Sequence, residues 1–432
     1  MKRITIVTLL AVVTVLLSSC FSNTESLPSL SIGEPHSPAI EFSQLRKVGF
    51  DSSIPVSISA AKTKSGMYYV DVWPLNVYEK ATPWDCKGNI IYIDYESHKK
   101  IYLCNVPGCA HNTEDCASYV SFSRGICMFT NSSETVLFYM SQGAADGEVY
   151  SEDDIGRIVS MKMDGTDRRE LIRLKSTQSF LTQDPIFADD NYLILPILDY
   201  CKTDVSYRTL ILSIDINTGS SEILLEYPGQ CSLRDIMKNG DFVVQNYSGV
   251  TGSETVISRI SDEGQQRVLF NSDSVNPMVN ERRIIIVEQN EDSANITVKD
   301  IETETEEQYF INSIPKTRYP LFVFGLVDGM AHLTYYTQAN EKADPHEVYV
   351  SLTDGSVKEK ELTYSNGVEN RYVYLIASSS ENYLVGFGSE IQQKTYIGKD
   401  GIPHIGEVNE PKLAMISKED YWNNIPNYEF IS

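Results

Sequence analysis

Four residues near position 110 have the side chains and the spacing of a metal site. The pattern C-x4-C-x-H-x4-C is formed by Cys104, Cys109, His111 and Cys116. Thiolate sulfur and neutral imidazole nitrogen are donors that zinc prefers in closed tetrahedral sites. Pro107-Gly108 favours a turn that brings the first two sulfurs together. The segment is therefore a candidate zinc site with these four side chains as its ligands.

Two other states of this segment compete with the zinc site. An exported protein can meet an oxidising environment in which cysteines pair, so Cys104 with Cys116, or Cys109 with either of them, could form a disulfide. The thiols could also stay reduced in an anaerobe. Seven thiols are left once Cys20, discussed below, is set aside, and the other four are Cys86, Cys127, Cys201 and Cys231. Because seven is odd, disulfides alone cannot use every thiol.

The sequence predicts no catalytic residue. It contains no G-x-S-x-G nucleophile elbow, P-loop or dinucleotide fingerprint. His346-Glu347 starts like a zinc-protease motif but lacks a second histidine one helical turn later. Asp189-Asp190-Asn191 could hold a cation, although a solvated turn between strands is the commoner structure of such a run. His332 lies in an apolar run, where a core position is expected.

The tyrosine content is the other feature that could bind a ligand. The chain has 26 tyrosines, and this side chain joins an apolar face to a polar tip suited to stacking on sugars or peptides. The candidate stacking residues are Tyr68-Tyr69, Tyr335-Tyr336 and Tyr372 with Tyr374. The competing interpretation is that tyrosine simply suits half-buried strands.

The first twenty residues predict export and lipid anchoring. Met1-Lys2-Arg3 is a basic start, and the uncharged run Ile4 to Leu17 is too short for the roughly 20 residues that cross a bilayer. The stretch Leu17-Ser18-Ser19-Cys20 resembles a bacterial lipobox. It predicts a signal peptide at residues 1–19, lipidation of Cys20, and an outer-face location on the cytoplasmic membrane. The Ser-, Pro- and Gly-containing stretch that follows predicts a flexible tether over residues 20–44.

The charge of the chain excludes some partners. The chain has 36 basic and 59 acidic residues and a net charge of −23. Without Lys2 and Arg3 the exported part has 34 basic residues and a net charge of −25. Such a surface repels phosphate backbones, so nucleic acid is not an expected partner. The expected partners are the membrane, reached through the lipid anchor, and a protein or glycan ligand.

One supersecondary unit recurs along residues 45–432 and predicts an all-β fold. A strand rich in Val, Ile, Leu, Tyr and Phe runs into a tight polar turn, and a second strand follows at once. Asp-Gly and Asn-Thr-Gly turns supply the positive φ that tight hairpins need. The turn centres lie near residues 97, 165, 218, 263, 304, 355 and 400, about 40 to 70 residues apart.

Repeats of about 40–50 residues with four strands each are typical of β-propeller blades. Seven turns predict seven blades, with six or eight as alternatives and a pair of β-sandwiches as the competing architecture. The Cys-rich segment at residues 104–116 is then an insertion in the first unit. Closure of the ring is expected to pair the strand Lys412 to Ile416 near that unit, which would protect sheet edges.

Part of the sequence resembles a known group of proteins. The run from Ile91-Tyr92-Ile93-Asp94 through Cys104, Cys109-Ala110-His111 and Cys116-Ala117 resembles the first blade of uncharacterised propeller lipoproteins of Clostridia-type Firmicutes. The turn from Lys162 to Asp167 is similar to the Asp-Gly-Thr turns of TolB-like propellers and related domains of unknown function. The tail from Met415 to Trp422 also resembles the ending of those lipoproteins. The resemblance covers most of the exported chain and implies a fold and a surface location, but no activity.

These observations favour a surface-anchored, non-catalytic propeller that binds a peptide, a glycan or an envelope partner. The alternative is a propeller glycan lyase or hydrolase, with carboxylates and histidines grouped at the mouth of the central channel. The two differ in one structural feature, because the enzyme needs such a group of side chains and the binding domain does not.

Overall fold

The computed structural model describes most of the chain from residue 40 onward. The described residues are 31–32, 40–49, 60–73, 85–144, 152–201, 206–248, 254–261, 263–273, 277–280, 282–290, 293–312, 321–335, 346–365, 370–397 and 402–432. The predicted signal peptide, Cys20 and most of the predicted tether lie outside them. Within these ranges, every helix is too short or too polar to span a bilayer.

The protein is a seven-bladed β-propeller. Seven antiparallel sheets follow one another along the chain, and in each the strands pair in the order of the sequence. From the axis outward, blade 1 contains Ala61–Lys62, Gly66–Val72, Asp85–Asp94 and an outer edge in two pieces, Lys99–Tyr102 and Tyr119–Ser123. Blade 2 contains Ile126–Thr130, Val136–Ser141, Arg157–Lys162 and Arg169–Arg173. Blade 3 contains Pro185–Ala188, Tyr192–Cys201, Ser206–Asp215 and Ser221–Pro228, and Gln178–Phe180 also pairs with its second strand.

The remaining blades follow the same plan. Blade 4 contains Cys231–Ile236, Phe242–Ser248, Glu254–Ile260 and Gln266–Ser272. Blade 5 contains Met278–Asn280, Arg283–Gln289, Ala294–Asp300 and Glu306–Ile311. Blade 6 contains Phe322–Val327, Met330–Tyr335, His346–Ser351 and Val357–Lys360. Blade 7 contains Tyr374–Ser378, Asn382–Ile397, Pro403–Ser417 and Glu429–Phe430, with the helix Lys418–Trp422 before its last strand.

A few elements lie outside these four-stranded sheets. Thr363–Ser365 and Asn370–Tyr372 form a two-stranded ribbon between blades 6 and 7. Two short 3-10 helices span Phe42–Gln44 and Glu152–Asp154. Ser31–Ile32 and Arg46–Gly49 are strands that add to blade 3.

Apolar side chains fill the space between neighbouring blades and hold the ring together. Each of the seven seams has its own cluster of buried residues, which join blades 1 and 2, 2 and 3, 3 and 4, 4 and 5, 5 and 6, 6 and 7, and 7 and 1. The second strand of each blade lies between two seams, so both of its faces are buried. This explains the unbroken apolar runs in the sequence, such as Leu193 to Leu198 and Ile284 to Val287.

The ring closes by side-chain packing, and one sequence-based expectation is wrong here. Residues 412–416 do not pair with the first unit, because they belong to the third strand of blade 7 and bond within that blade. Leu413 and Met415 instead pack against Met67 and Ile93 of blade 1. The C-terminus adds backbone bonds, since the amide of Ser432 donates to the carbonyl of His98 at 2.9 Å.

An N-terminal segment enters the ring. Ser31 and Ile32 pair with the outer strand of blade 3, and Ile40 and Phe42 pack in the seam between blades 3 and 4. Arg46–Gly49 then pairs antiparallel with Pro185–Ala188, the axial strand of blade 3. The chain therefore passes from the outer edge of one blade to the central channel before the first blade begins.

Candidate metal centre and central cavity

The Cys-rich segment interrupts the outer edge of blade 1. The strand Asp85–Asp94 pairs with Lys99–Tyr102 near one end and with Tyr119–Ser123 near the other. Residues 103–118 leave the sheet between these two pieces and return to it. The ends of the loop are fixed by backbone bonds to the sheet, because the Leu103 amide donates to Ile90 and the Ile90 amide donates to Ser118.

The loop brings all four predicted metal ligands together. One donor atom from each of Cys104, Cys109, His111 and Cys116 lies within 4.8 Å of the donor atoms of the other three. The shortest of these contacts that involves the imidazole joins His111 Nδ1 to Cys116 Sγ at 3.2 Å. A zinc ion with bonds of about 2.0–2.3 Å needs donors about 3.3–3.8 Å apart. The four donor atoms are therefore close enough together for one ion to reach all of them after small shifts of the side chains.

Hydrogen bonds orient the sulfur atoms. The backbone amide of His111 donates to Cys109 Sγ at 3.4 Å, and the amide of Ser118 donates to Cys116 Sγ at 3.4 Å. The Ser118 hydroxyl lies 3.1 Å from the same Cys116 sulfur. Donors of this kind satisfy the lone pairs of a thiolate that a metal leaves unused, and they fix the direction of the remaining ones.

Residues of blade 1 hold the histidine. Asn89 Nδ2 donates to the carbonyl of His111 at 2.8 Å, and the Trp73 indole fixes this amide by donating to its Oδ1 at 2.6 Å. Tyr102 stacks on the imidazole with ring centroids 4.5 Å apart. His111 has a φ of +55°, a region that costs energy for a residue with a Cβ. These contacts stabilise that backbone and present Nδ1 to the sulfurs.

Hydrogen bonds favour the thiolate form of Cys116. Its side chain is buried, and burial by itself raises the pKa of the thiol. Hydrogen bonds from Ser118 and His111 outweigh that effect and lower the pKa of Cys116 to about 6. A thiolate is the form that binds metal, so the lowered pKa makes this sulfur suitable as a metal ligand at neutral pH.

The central channel contains the second candidate site, a cavity of about 540 Å³. Its wall is formed by the axial strands of blades 1, 2, 5, 6 and 7 and by the strand Arg46–Gly49. Its charged lining residues are Arg46, Lys47, Lys62, Glu134 and Asp328. A cavity of this volume suits a small ligand or one residue of a larger one.

The acidic groups at this cavity already have partners. Asp328 accepts a hydrogen bond from the Tyr383 hydroxyl and pairs with Lys418 at 3.2 Å. Glu134 accepts from the backbone amide of Lys64 at 3.1 Å. Among the described residues that line the cavity there is no histidine.

The two aspartates that the sequence suggested as cation ligands, Asp189 and Asp190, form hydrogen bonds within turns. Asp189 accepts from the amides of Asn191 and Tyr192 at 2.7 and 2.6 Å, as in a tight turn. Asp190 accepts from the hydroxyl of Ser132 and the amide of Ser133. Both carboxylates thus fix turns at the axial end of blades 2 and 3.

The histidines of the described ranges do not gather at the channel. His332 is fully buried in blade 6, stacked on Tyr349 and 3.4 Å from Glu347. His346 begins the next strand of that blade and stacks on Tyr335. His98 lies in the outer turn of blade 1, 3.2 Å from Glu429. His404 lies on the hairpin of blade 7.

Most of the tyrosines proposed as a stacking face belong to the packing of the strands. Tyr68, Tyr69 and Tyr335 are buried between blades. Tyr372 and Tyr374 are half-buried, and Tyr336 lies outside the described residues.

Sequence reasoning missed two groups of site residues. Arg46–Gly49 lines the cavity although it directly follows the predicted tether, and its only sequence signal is an alternation too short to interpret. Asn89, Trp73 and Ser118 support the metal ligands from a strand, a strand end and a loop end. Their roles come from pairing across the sheet, which a linear motif does not encode.

Comparison with known proteins finds similarity in fold only. No protein-family model matches the chain. No curated protein matches it either. The chain is similar to an acylaminoacyl peptidase of Pyrococcus horikoshii with 10% identity and a TM-score of 0.48, covering 89% of this chain and 54% of that one. An oligogalacturonate lyase of Vibrio parahaemolyticus is similar with 9% identity and a TM-score of 0.46, over 89% of this chain and 97% of the lyase.

A third similar structure is a propeller domain alone. The β-propeller domain of the Trilobed protease of Pyrococcus furiosus, described as having an open velcro topology, shares 12% identity at a TM-score of 0.34, over 56% of this chain and 67% of that one. The chain spans about half the length of the peptidase named above. At these identities and TM-scores the likeness carries no functional argument, and the fold is established by the seven sheets themselves.

Proposed function

We propose that the protein is a lipid-anchored propeller that binds a peptide, a glycan or an envelope partner without chemical turnover. The supporting observation is the central cavity, whose wall comes from five blades and the N-terminal strand. Seam packing supports this wall, as in blade 7, where Leu375 and Ala377 of the axial strand pack in the seams on its two sides. The two carboxylates that line the cavity are engaged with neighbouring groups, which favours binding over acid–base catalysis.

Binding in the cavity can be tested with a matched pair of substitutions. Ser378 lines the cavity and is exposed, so Ser378→Trp should fill it without disturbing the core. Ser380→Trp places the same side chain in an exposed turn two residues away, outside the lining. On arrays of defined oligosaccharides and peptides, we expect Ser378→Trp to weaken binding at least about tenfold, or 1.4 kcal/mol, while Ser380→Trp binds normally.

Two results would contradict the binding proposal. Either no array member is bound, or the two tryptophan variants bind equally well. Turnover of a bound oligosaccharide or peptide would instead support a propeller lyase or hydrolase.

The anchor is part of the same proposal. Lipidation of Cys20 would hold the domain on the outer face of the bacterial cytoplasmic membrane, since two or more acyl chains anchor durably where one does not. We expect cells given labelled palmitate to label the wild-type protein and not the Cys20→Ser variant. Label that survives this substitution would refute the anchor.

We also propose that Cys104, Cys109, His111 and Cys116 hold a zinc ion as the cofactor of the domain. The support is the mutual distance of their donor atoms, and none of these three cysteines forms a disulfide in the described part of the chain. The same segment resembles the first blade of Clostridia-type propeller lipoproteins. We therefore also propose that the chain is a member of that family. Elemental analysis of protein purified without oxygen measures the metal directly.

A further inference from the structure

Residues 103–118 of blade 1, which carry the four candidate ligands, are called the metal loop below. This loop is in close contact with one turn of blade 2. Gly165 lies in that turn with a φ of +83°. A Cβ on this residue would lie 2.9 Å from Leu103 Cγ and 3.1 Å from the carbonyl oxygen of Ala117. Leu103 directly precedes the first ligand, Cys104, and Ala117 directly follows the last, Cys116. The blade 2 turn therefore packs against both ends of the loop.

Arg168, three residues after Gly165, forms hydrogen bonds with the backbone at the C-terminal end of the metal loop. One of its terminal nitrogens donates to the carbonyl of Ala117 and the other to that of Tyr119. These carbonyls lie one and three residues after Cys116. The guanidinium thus fixes the chain at the point where the buried ligand joins the sheet, and it does so from the neighbouring blade.

The charge of Arg168 also suits a zinc–thiolate centre. Three thiolates and a neutral imidazole around Zn²⁺ leave one net negative charge. Burial of the guanidinium lowers the pKa of Arg168, whereas the nearby Cys116 sulfur favours its charged form. The Nε of Arg168 is buried and has no hydrogen-bond acceptor among the described residues. An uncompensated buried cation is costly, and an anionic centre beside it reduces that cost.

We infer that Arg168 is a positioning residue of the metal centre and that bound metal stabilises the contact between blades 1 and 2. This metal-dependent contact is called the clasp below. The inference rests on the proposed zinc site. The four donors come from one loop of blade 1, whereas the residue that fixes the end of that loop, Arg168, comes from blade 2. Metal binding and the contact between the two blades should therefore depend on each other. Four protein donors also fill a tetrahedral shell, so the clasp is structural and leaves no coordination position for a substrate.

The chain offers a matched control for Arg168. The next residue, Arg169, also donates to two backbone carbonyls, those of Ile216 and Asn217, but at the seam between blades 2 and 3. Arg168→Gln and Arg169→Gln therefore each remove one charge and two arginine–carbonyl bonds. Only Arg168→Gln alters the metal loop.

Competition for zinc against a chromophoric chelator measures the effect. Loss of a residue that orients metal ligands typically lowers metal affinity 10- to 100-fold. We expect a loss of at least about tenfold for Arg168→Gln and wild-type affinity for Arg169→Gln. Equal affinity of the wild type and Arg168→Gln, or an equal loss in both variants, would overturn the inference.

Hydrogen exchange tests the clasp in the wild type, where folding of a variant is not in question. Removing zinc with a chelator should speed exchange of the amides of residues 119–123 in blade 1 and of residues 165–169 in blade 2. Amides of blade 5, such as those of residues 284–287, should be unaffected. Unchanged exchange at residues 165–169 would overturn the clasp even if zinc binds.

The two proposals fail in different ways. If the wild-type protein binds no zinc, the metal site itself is wrong. If it binds zinc with an affinity that Arg168 does not influence, only the clasp is wrong.

Discussion

Replacing Cys116 with serine is expected to abolish zinc binding. Cys116 is the buried ligand of the four, its pKa is lowered to about 6, and its sulfur lies 3.2 Å from His111 Nδ1. A serine hydroxyl stays protonated at neutral pH and is a poor zinc ligand. The three donors that remain are half-exposed, so water would complete the shell and the ion would be lost to a chelator.

The measurement is zinc content after purification without oxygen. We expect about one zinc per chain in the wild type, as in other four-ligand sites, and close to none in Cys116→Ser. Cys201→Ser is the control, because Cys201 is a half-exposed cysteine in blade 3, outside the metal loop. Full zinc content in Cys116→Ser would refute the site.

A disulfide would give a different pattern. If Cys104 and Cys116 were bridged in the native protein, the wild type would bind no zinc and would have two fewer reactive thiols. The segment would then be a covalent staple worth about 2–4 kcal/mol. A thiol count on the unfolded wild type distinguishes this result from a site with free thiols.

The blade count was predictable because local hairpin chemistry repeats. Six of the seven turns counted in the sequence join the third and fourth strands of blades 1 to 6, as at Asp164-Gly165 and Asn217-Thr218-Gly219. The seventh, near residue 400, joins the second and third strands of blade 7 instead. In that blade the short helix Lys418–Trp422 occupies the place of the turn. The count of seven was correct, although its last member was a different hairpin.

Other features could not be predicted because they depend on contacts between distant parts of the chain. Ring closure is one, since a strand such as Pro403–Ser417 has the same composition whether it bonds within blade 7 or across the seam to blade 1. The strand Arg46–Gly49 is another, because four residues carry no reliable period. The four candidate metal ligands could be recognised because their side chains are unusual and close in sequence. Arg168 and Asn89 were missed because they act through backbone carbonyls and amides.

Blade 6 contains a buried network that makes stability depend on pH. Lys360 ends its outer strand and is 7% exposed. Its ammonium donates to the carbonyl of Tyr421 and lies 3.4 Å from the centroid of the Tyr421 ring. The Tyr421 hydroxyl lies 2.9 Å from that of Tyr349, which in turn donates to Glu347. Burial lowers the pKa of Lys360 to about 7, although Glu347 acts in the opposite direction.

Because the folded pKa of Lys360 lies below its unfolded value near 10.5, the unfolded chain binds the extra proton between about pH 7 and pH 10.5. The free energy of unfolding therefore rises with pH across that window, by up to about 1.4 kcal/mol per pH unit. We expect the wild type to gain about 2 kcal/mol, relative to Lys360→Met, between pH 7.5 and 9.5. Urea unfolding of both proteins at the two pH values measures this difference.

A second lysine on the same strand provides the control. Lys358 is exposed and lies 5.4 Å from the Trp422 ring, so Lys358→Met should keep the pH dependence of the wild type. Tyrosines that ionise on unfolding affect all three proteins alike, and the comparison between variants removes their contribution. If Lys360→Met and the wild type show parallel stability curves, then Lys360 stays charged in the fold. In that case Glu347, which pairs with Lys360 on the neighbouring strand of blade 6, would compensate the ammonium.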